Sequence, residues 1–291
     1  MGKKILMTGA NGAFGALAAK LLLTKGHRLV VTMRDPEGRN AHAAADLRSS
    51  GATVIEIDVT NDQSVSKGVD AAIIALGGLD VLANIAGTGT YGLSEGFTSD
   101  QMLRLFDINV VGPHRMMRAV LPTLRKQGAG LVINVSSLLG RLSMPFYGPY
   151  SATKYAVETL SDTYRVELSQ LGVDVVLIEP GGFKTSWIGN LIHPEDTDRL
   201  AGYGDFAEVP AQSLRGYQEF LDAKPEQDPT KVAEAICTLI DTPAGTRPAR
   251  TVVDFIGMAE PISMMNDQLA QVTASLYQAF GTEGLLKLNV Q

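Results

Sequence analysis

The sequence has one cysteine, Cys237, which excludes an internal disulfide and any metal site built from several thiolates. Its apolar surroundings favour a buried thiol in a reducing compartment. The four histidines are scattered without the spacing of paired ligands, so we expect no metal centre. Basic residues are outnumbered, 25 Lys and Arg against 31 Asp and Glu, and this net charge of −6 argues against a nucleic-acid partner.

Long apolar runs are missing as well. The first residues, MGKKILMTGANG, contain only three consecutive apolar residues before a Thr-Gly break, far fewer than a signal peptide needs. No uninterrupted apolar run approaches the roughly 20 residues that cross a bilayer. We therefore expect a soluble, cytoplasmic protein that does not associate with membranes.

What the sequence does contain is a regular alternation of two patterns. Short β-branched apolar runs predict seven strands, at Lys4–Thr8, Arg28–Met33, Thr53–Asp58, Asp80–Asn84, Gly130–Val135, Asp174–Glu179 and Arg250–Phe255. Helical periodicity between them predicts helices at Ala13–Lys25, Asn40–Ser50, Asp62–Leu76, Asp100–Arg125, Ala152–Leu171 and Thr230–Ile240. This alternation predicts an α/β fold in a single domain: a Rossmann-type, doubly wound, seven-stranded parallel sheet with helices on both faces.

The domain organisation follows from the two places where predicted strands and helices stop alternating. We interpret residues 1–257 as the catalytic domain, with a substrate-covering loop and short helices inserted at about 182–225. A mobile surface loop is the alternative for that insertion. Residues 258–291 form a helical extension with an amphipathic stretch at Pro261–Phe280, whose role as lid, subunit contact or cap stays open.

A glycine-rich turn joins the first strand to the first helix. Such a turn lets backbone N–H groups approach a pyrophosphate at the positive end of a helix, although an ordinary structural turn is the alternative. The residues expected to contact a dinucleotide here are Thr8, Gly9, Asn11, Gly12, Ala13, Phe14 and Gly15.

The end of the second strand bears on the choice of cofactor. Sites for NAD usually present a carboxylate to the ribose there, whereas sites for NADP offer an arginine. Met33 occupies the expected acidic position and Arg34 follows it, which favours NADP. Asp35 keeps NAD possible, since a shift of one residue would aim its carboxylate at the ribose.

A tyrosine and a lysine four residues apart form the candidate reacting centre. Tyr150 and Lys154 share one helix face, and a nearby cation favours ionisation of a phenol whose ordinary pKa is about 10. Ser136 and Ser137 follow the fifth predicted strand, at the carboxyl edge where such sheets bind ligands.

With these motifs in order, the sequence resembles the single-domain branch of the short-chain dehydrogenase/reductase family over about residues 3–257. The segment around the catalytic motif is similar to steroid- and retinol-dehydrogenase-like members. The matching motifs are T-G-x-x-x-x-x-G at Thr8–Gly15, Asp58, N-x-A-G at Asn84–Gly87, Asn109, the Ser pair, Y-x-x-x-K, and P-G followed by Thr185. Two departures stand out: the glycine spacing with Gly12 and Ala13 is similar to the family's longer branch, and Ile85 replaces an asparagine, which leaves one backbone-supporting hydrogen bond unexplained.

The resemblance implies a role for each catalytic residue. Ser137, 13 positions before Tyr150, would hold the substrate carbonyl, leaving Ser136 structural. Tyr150 would be the general acid/base, and Lys154 would lower its pKa and bind the nicotinamide ribose. Asn109 would hold a water that links Lys154 to solvent, unless it is merely a helix-kink residue.

The resemblance also implies the remaining cofactor contacts. Asn84, Ala86 and Gly87 would lie along the adenosine ribose, Asp58 beside the adenine amine, and Thr185 at the carboxamide. The full set of expected contacts beyond the glycine-rich turn is Arg34, Asp58, Val59, Asn84, Ala86, Gly87, Tyr150, Lys154, Pro180, Gly181, Phe183 and Thr185.

These expectations lead to one leading hypothesis, an NADP(H)-dependent oxidoreductase acting on a secondary alcohol or ketone. Apolar residues near the expected pocket, among them Leu142, Met144 and Trp187, suggest a hydrophobic or aromatic small-molecule substrate. An epimerase- or dehydratase-like enzyme, or a non-catalytic dinucleotide-sensing protein, is the alternative. We expect a homodimer or homotetramer formed through the helices at Asp100–Arg125 and Ala152–Leu171.

Overall fold

A computed structural model describes residues 2–290 and contains one seven-stranded sheet. All strands run parallel, in the order β3-β2-β1-β4-β5-β6-β7. The strands are β1 Lys4–Thr8, β2 Arg28–Met33, β3 Thr53–Glu56, β4 Val81–Asn84, β5 Gly130–Val135, β6 Val173–Pro180 and β7 Arg250–Val253. The predicted fold class is confirmed, and the strand bounds differ from prediction by two residues at most.

Helices connect the strands and cover both faces of the sheet. The α-helices are α1 Ala13–Thr24, α2 Ala41–Ser49, α3 Asp62–Leu76, α4 Ser99–Phe106, α5 Gly112–Gln127, α6 Gly148–Ser169, α7 Thr197–Ala201, α8 Val209–Asp222, α9 Thr230–Asp241 and α10 Ala259–Ala279. Across residues 2–290, none of these helices combines the length and apolar character needed to span a membrane.

The hydrophobic core has two parts because successive side chains of a strand point to opposite faces. Met7 of β1 joins a cluster with the buried sides of α1 and α9. Its neighbour Leu6 points the other way, into a cluster with α3 and α5. Strands buried on both sides explain the nearly continuous apolar runs in the sequence.

The strand order fixes where a ligand binds. The chain moves outward from β1 to β3, then returns across the sheet to β4 on the other side of β1. Ligands of open parallel sheets bind at such a switch point, beyond the carboxyl ends of the strands. The glycine-rich turn after β1 and the segment after β4 both lie there.

Three helical predictions need correction. The helix expected over Asp100–Arg125 is α4 and α5 joined by a π-helical turn, Asp107–Val111. Helix α6 begins at Gly148 rather than Ala152, because Pro149 suits a first helical turn, where no partner for its missing N–H is needed. The inserted segment 182–225 holds the 14-residue α8 as well as short helices.

Candidate active site

Tyr150 and Lys154 lie one turn apart at the start of α6, and both are buried. The Lys154 ammonium nitrogen lies 5.6 Å from the centre of the Tyr150 ring and donates to the Val135 carbonyl at 2.9 Å. That carbonyl is at the last residue of β5, so the helix start and the strand end meet here. Burial lowers the pKa of Lys154 to about 8.

Ser137 stands beyond β5 in an extended conformation, and its hydroxyl accepts a hydrogen bond from the Leu139 amide. Burial raises the pKa of Tyr150 above its ordinary value, and interaction with the Ser137 hydroxyl acts in the opposite direction. The two hydroxyl side chains expected to handle the substrate oxygen therefore influence each other directly. The net direction is a raised pKa, whereas the sequence led us to expect that Lys154 would lower it.

Asn109 lies in the π-helical turn, where an extra residue in the helical turn re-aims the side chain. Its amide nitrogen donates to the Thr88 carbonyl at 2.8 Å and the Thr153 hydroxyl at 3.1 Å, and its oxygen accepts from the Thr88 amide at 2.9 Å. The side chain therefore fixes the segment after β4 to α6. The π-helical turn agrees with a helix irregularity at Asn109, and the role of this residue in holding a water stays a prediction.

Gly87, in the segment after β4, lies next to Asn109 and Lys154. A Cβ at this glycine would lie 3.3 Å from the Asn109 side-chain oxygen and 3.9 Å from the Lys154 ammonium nitrogen. Three parts of the candidate site therefore lie close together around Gly87: the N-x-A-G segment, Asn109 of the π-helical turn, and Lys154.

The glycine-rich turn fits a pyrophosphate. Gly9 has φ +72°, and a Cβ there would lie 2.6 Å from the Ala86 amide nitrogen; a Cβ at Gly15 would lie 2.3 Å from the Gly9 carbonyl oxygen. Gly12 is different, since its Cβ would meet only the Gly9 oxygen, at 3.4 Å, so its open side admits a phosphate. Within residues 2–290 no side chain caps the N-terminus of α1, and its positive end is free for an anion.

Thr8 has a structural role in this turn. Its hydroxyl, 1% exposed, accepts hydrogen bonds from the amides of Ile85 and Ala86 at 3.1 and 3.2 Å. This contact supplies the backbone support that the sequence left unexplained at Ile85. It also holds the carboxyl ends of β1 and β4 together, and the cofactor contact expected of Thr8 stays a prediction.

The Asn84 side chain points into the sheet. Its side chain is buried and donates to the Asn134 side chain at 2.9 Å, between the paired residues of β4 and β5. Asn134 in turn donates to Ser161 of α6. The Asn84 side chain therefore supports the ends of β4 and β5, and the expected place of this residue along the adenosine ribose stays a prediction.

Arg34 and Asp35 are both exposed and directly follow Met33, the last residue of β2. Asp35 has φ +47°, and its side chain accepts from the Arg39 amide at 2.8 Å. Asn40 links this loop to the glycine-rich turn, because it donates to the Arg34 carbonyl and accepts from Asn11. The structure therefore leaves both the basic and the acidic candidate for the ribose exposed beside the turn, and the preference for NADP stays a prediction.

Asp58 and Val59 follow β3 on the adenine side of the crevice. Asp58 accepts from the Thr60 amide and hydroxyl at 3.0 and 2.7 Å. Burial acts to raise the pKa of Asp58, but these bonds and the charges of Arg34 and Arg115 outweigh it and hold the pKa below its usual range. Asp58 is thus an ionised acceptor that also caps the strand end.

The segment after β6 covers the expected nicotinamide end. Pro180 ends β6, and Gly181 packs so closely on Asp254 that a Cβ would lie 2.3 Å from its carboxylate. Phe183 meets Phe14 of the glycine-rich turn edge to face, 5.6 Å between ring centres. Thr185 accepts from the Trp187 amide at 3.2 Å, which shapes the start of the inserted loop.

Aromatic rings enclose the Tyr150 side chain on the substrate side. Trp187 of the inserted loop packs edge-on against Tyr150, 5.4 Å between ring centres, and Tyr147 lies 6.5 Å away. Tyr91 packs against Tyr147 at 4.7 Å, and α8 contributes Leu214. Tyr91 and Thr88 were not predicted from the sequence, because the signal available, their place just after the N-x-A-G motif, does not mark side-chain direction.

Comparisons with known proteins agree with this geometry. Residues 3–196 of this chain match the family model described as short chain dehydrogenase. The chain is 33% identical over 240 residues to a 3-ketodihydrosphingosine reductase of Bacteroides thetaiotaomicron, covering 81% of this chain and 82% of the relative.

Two solved structures resemble the whole fold. A short-chain dehydrogenase/reductase of Burkholderia phymatum in complex with NAD superposes with a TM-score of 0.74 at 26% identity, over 93% of this chain and 95% of the other. A single-residue variant of actinorhodin polyketide ketoreductase with NADPH gives 0.72 at 25% identity, over 89% and 99%.

Proposed function

This chain belongs to the short-chain dehydrogenase/reductase family of nicotinamide-dependent oxidoreductases, and from that premise we propose that it interconverts a ketone and a secondary alcohol with NADP(H). The observation that carries the proposal is the packing of Tyr150, Ser137 and Lys154 against the Gly87 end of the cofactor crevice. A bound nicotinamide dinucleotide supplies or accepts the hydride.

The side chains of the site divide the proton chemistry among them. The Ser137 hydroxyl donates a hydrogen bond to the substrate carbonyl oxygen, and Tyr150 gives its proton to the alkoxide that forms there during reduction. Because burial holds the pKa of Tyr150 above its ordinary value, the phenol is protonated at neutral pH and ready to act as the acid. The Lys154 ammonium stabilises the phenolate left behind.

We expect Arg34→Ala to weaken binding of NADPH by roughly tenfold or more and to leave NADH affinity nearly unchanged, because only NADPH carries a 2′-phosphate for the guanidinium. Fluorescence titration of both reduced nucleotides measures the two affinities. Arg48→Ala is the matched control, since Arg48 lies in the same βα unit but pairs with Glu37. Equal losses for both nucleotides in Arg34→Ala would place the 2′-phosphate elsewhere.

The aromatic and aliphatic lining supports a hydrophobic or aromatic substrate. Trp187 packs edge-on against the Tyr150 ring, so its indole forms one apolar wall beside the phenol. The bacterial relative is also named for reduction of a keto compound.

Trp187→Ala is expected to raise kcat/KM for bulky aromatic ketones relative to small aliphatic ones by several-fold, because it removes the ring that fills the substrate side of Tyr150. A ketone panel of increasing size, assayed with NADPH, measures the ratio. Tyr203→Ala serves as control, since this aromatic side chain of the inserted segment hydrogen-bonds Glu95 rather than packing on Tyr150. A site that accepted only small charged hydroxy acids would contradict the hydrophobic-substrate proposal.

A further inference from the structure

Two glutamates are buried behind the catalytic lysine. Glu158 of α6 is 2% exposed and Glu179 of β6 is fully buried. Carboxylates are rarely buried unless they are paired, and both are paired with the same cation. The Arg250 Nε atom of β7 lies 3.0 Å from Glu158 Oε2 and 3.2 Å from Glu179 Oε1. Together these residues form the core of what we call the glutamate cluster.

The rim of the glutamate cluster comes from α6 itself, from the segment after β5 and from α10. Arg250 Nη2 contacts the half-exposed Asp162 carboxylate at 2.6 Å, and Arg141 Nε lies 3.9 Å from Glu179 Oε1. Asn266 of α10 donates to Glu179 Oε2 at 2.6 Å and accepts from Arg141 Nε at 2.7 Å. The C-terminal helix thus closes the cluster and holds its groups in fixed positions.

The glutamate cluster reaches the active site through Glu158. This residue follows Lys154 by four positions, which puts both side chains on one face of α6 in adjacent turns. A Cβ at Gly140 would lie 2.8 Å from the Ser136 hydroxyl oxygen, 3.0 Å from Glu158 Cγ and 3.2 Å from the Lys154 carbonyl oxygen. These groups therefore pack around Gly140, three residues after Ser137.

One carboxylate oxygen of Glu158, Oε1, is still available to accept a hydrogen bond. Its Oε1 atom and the Ser136 hydroxyl are both buried, and neither makes a regular hydrogen bond within the described part of the chain. An arginine can engage both oxygens of a carboxylate in a bidentate contact. Here one oxygen faces Arg250 and the other is left for the interior beside Ser136 and the lysine.

We propose that Glu158 is a positioning residue for the reaction: its carboxylate, anchored by Arg250 one helical turn from Lys154, keeps the lysine in its ammonium form. This inference rests on the proposed function, in which that ammonium stabilises the Tyr150 phenolate. The groups facing Glu158 are Lys154, Ser136, Arg250, Arg141 and Glu179.

The balance of charge agrees with this role. Burial lowers the pKa of Lys154 to about 8, and Glu158 opposes that decrease. Burial also raises the pKa of Glu158, but Ser136, Arg250 and Arg141 favour its ionised form. Glu179 has its pKa raised to about 7, by burial and by the charge of Glu158. The two carboxyls therefore influence each other's ionisation, and the contacts with Ser136, Arg250 and Arg141 favour the charged form of Glu158.

The test measures the protonation of Lys154 as a function of pH, in the full chain without cofactor or substrate. Protein labelled with ¹³C at lysine Cε is titrated by NMR, and the Lys154 signal is assigned by its loss in Lys154→Met. An ammonium is present below its pKa and lost as pH rises through it. Glu158→Gln should therefore lower the titration midpoint of Lys154 by roughly one pH unit, the lower end of the effect of a nearby opposite charge.

Two further variants separate positioning from simple ion pairing. Asp162→Asn removes another carboxylate partner of Arg250 but lies two turns from Lys154, so the midpoint should stay at its wild-type value. Glu179→Gln removes the other buried carboxylate partner of Arg250, but Glu179 is not among the groups that shift the pKa of Lys154, so the midpoint should stay at its wild-type value. A Lys154 midpoint that stays constant in folded Glu158→Gln, or falls equally in all three variants, would overturn the proposal.

Activity gives the second readout and keeps the two proposals distinguishable. If the chain reduces ketones, the alkaline limb of its kcat/KM profile should move to lower pH in Glu158→Gln and not in Asp162→Asn. If the NMR shift appears in a chain that reduces no ketone, the proposed function fails while the link between Glu158 and Lys154 stands.

Discussion

Tyr150→Phe is expected to lower kcat for ketone reduction by about a thousandfold while leaving NADPH affinity unchanged. The substitution deletes the phenolic proton donor, and general acid catalysis contributes on the order of 10²–10⁴ in rate. The ring stays in place to pack against Trp187, so the enclosed pocket persists. Steady-state kinetics and nucleotide titration on the same preparation measure both quantities.

Tyr147→Phe is the matched control for that experiment. Tyr147 is also buried, its pKa is also raised by burial, and its ring lies 6.5 Å from that of Tyr150. It lies just before α6, away from Lys154, and has no assigned part in the proton transfer. Comparable losses in both variants would mean that Tyr150 acts through packing and would remove the acid/base assignment.

Gly9→Ala is expected to destabilise the protein by about 2 kcal/mol and to abolish measurable NADPH binding. A non-glycine residue at φ +72° carries strain on the order of 1 kcal/mol, and its Cβ would press on the Ala86 amide nitrogen at 2.6 Å. For a domain of this size that corresponds to a decrease in Tm of about 4–8 °C. Thermal unfolding and nucleotide titration measure the two effects.

Two glycine controls divide the stability effect from the binding effect. Gly189→Ala adds a methyl group with no described atom within 4 Å, so both stability and affinity should stay at wild-type values. Gly12→Ala meets only the Gly9 oxygen at 3.4 Å, so it should fold normally yet bind NADPH more weakly, because the methyl group fills the space for a phosphate. Unchanged affinity in both Gly9→Ala and Gly12→Ala would contradict the pyrophosphate site.

Sequence patterns predicted the sheet well because the five inner strands are largely buried on both sides, whereas only the edge strands β3 and β7 are partly exposed along their length. A strand such as β5, Gly130–Val135, has no polar face to blur its apolar run, and Gly, Pro or Asp marks most of the turns around the strands. The seven strands and their parallel arrangement could therefore be read from the chain. Helix ends were harder, since Gly148-Pro149 suggests a turn although proline is well placed in a first helical turn.

The candidate site was only partly predictable, because side-chain direction depends on tertiary contacts. Spacing alone placed Tyr150 and Lys154 on one face, and the structure brings Ser137 and Asn109 to them. Spacing does not reveal that Asn84 turns into the sheet to meet Asn134, 50 residues away. Nor does it reveal that Glu158 and Glu179 are partners, since their contact is made through Arg250 from a third element.

In the C-terminal extension, too, the sequence predicted the helix but not its side-chain contacts. Its amphipathic pattern predicted a helix, and α10 spans Ala259–Ala279. Its buried side is narrow, however, and includes the polar Asn266, which no hydrophobic pattern marks. A single polar side chain of this kind, bonded to Glu179 and Arg141, ties the extension to the region behind the active site.

The most direct test of the proposed oxidoreductase function is transfer of deuterium from NADPH labelled at C4 of the nicotinamide to a panel of hydrophobic ketones. Product alcohols are analysed by mass spectrometry, with each C4 stereoisomer of the labelled nucleotide used separately. We predict label at the carbinol carbon of at least one product, from one stereoisomer only, and its loss in Tyr150→Phe. Tight binding of NADPH and NADH with no label in any product would contradict the account and favour a dinucleotide-sensing protein.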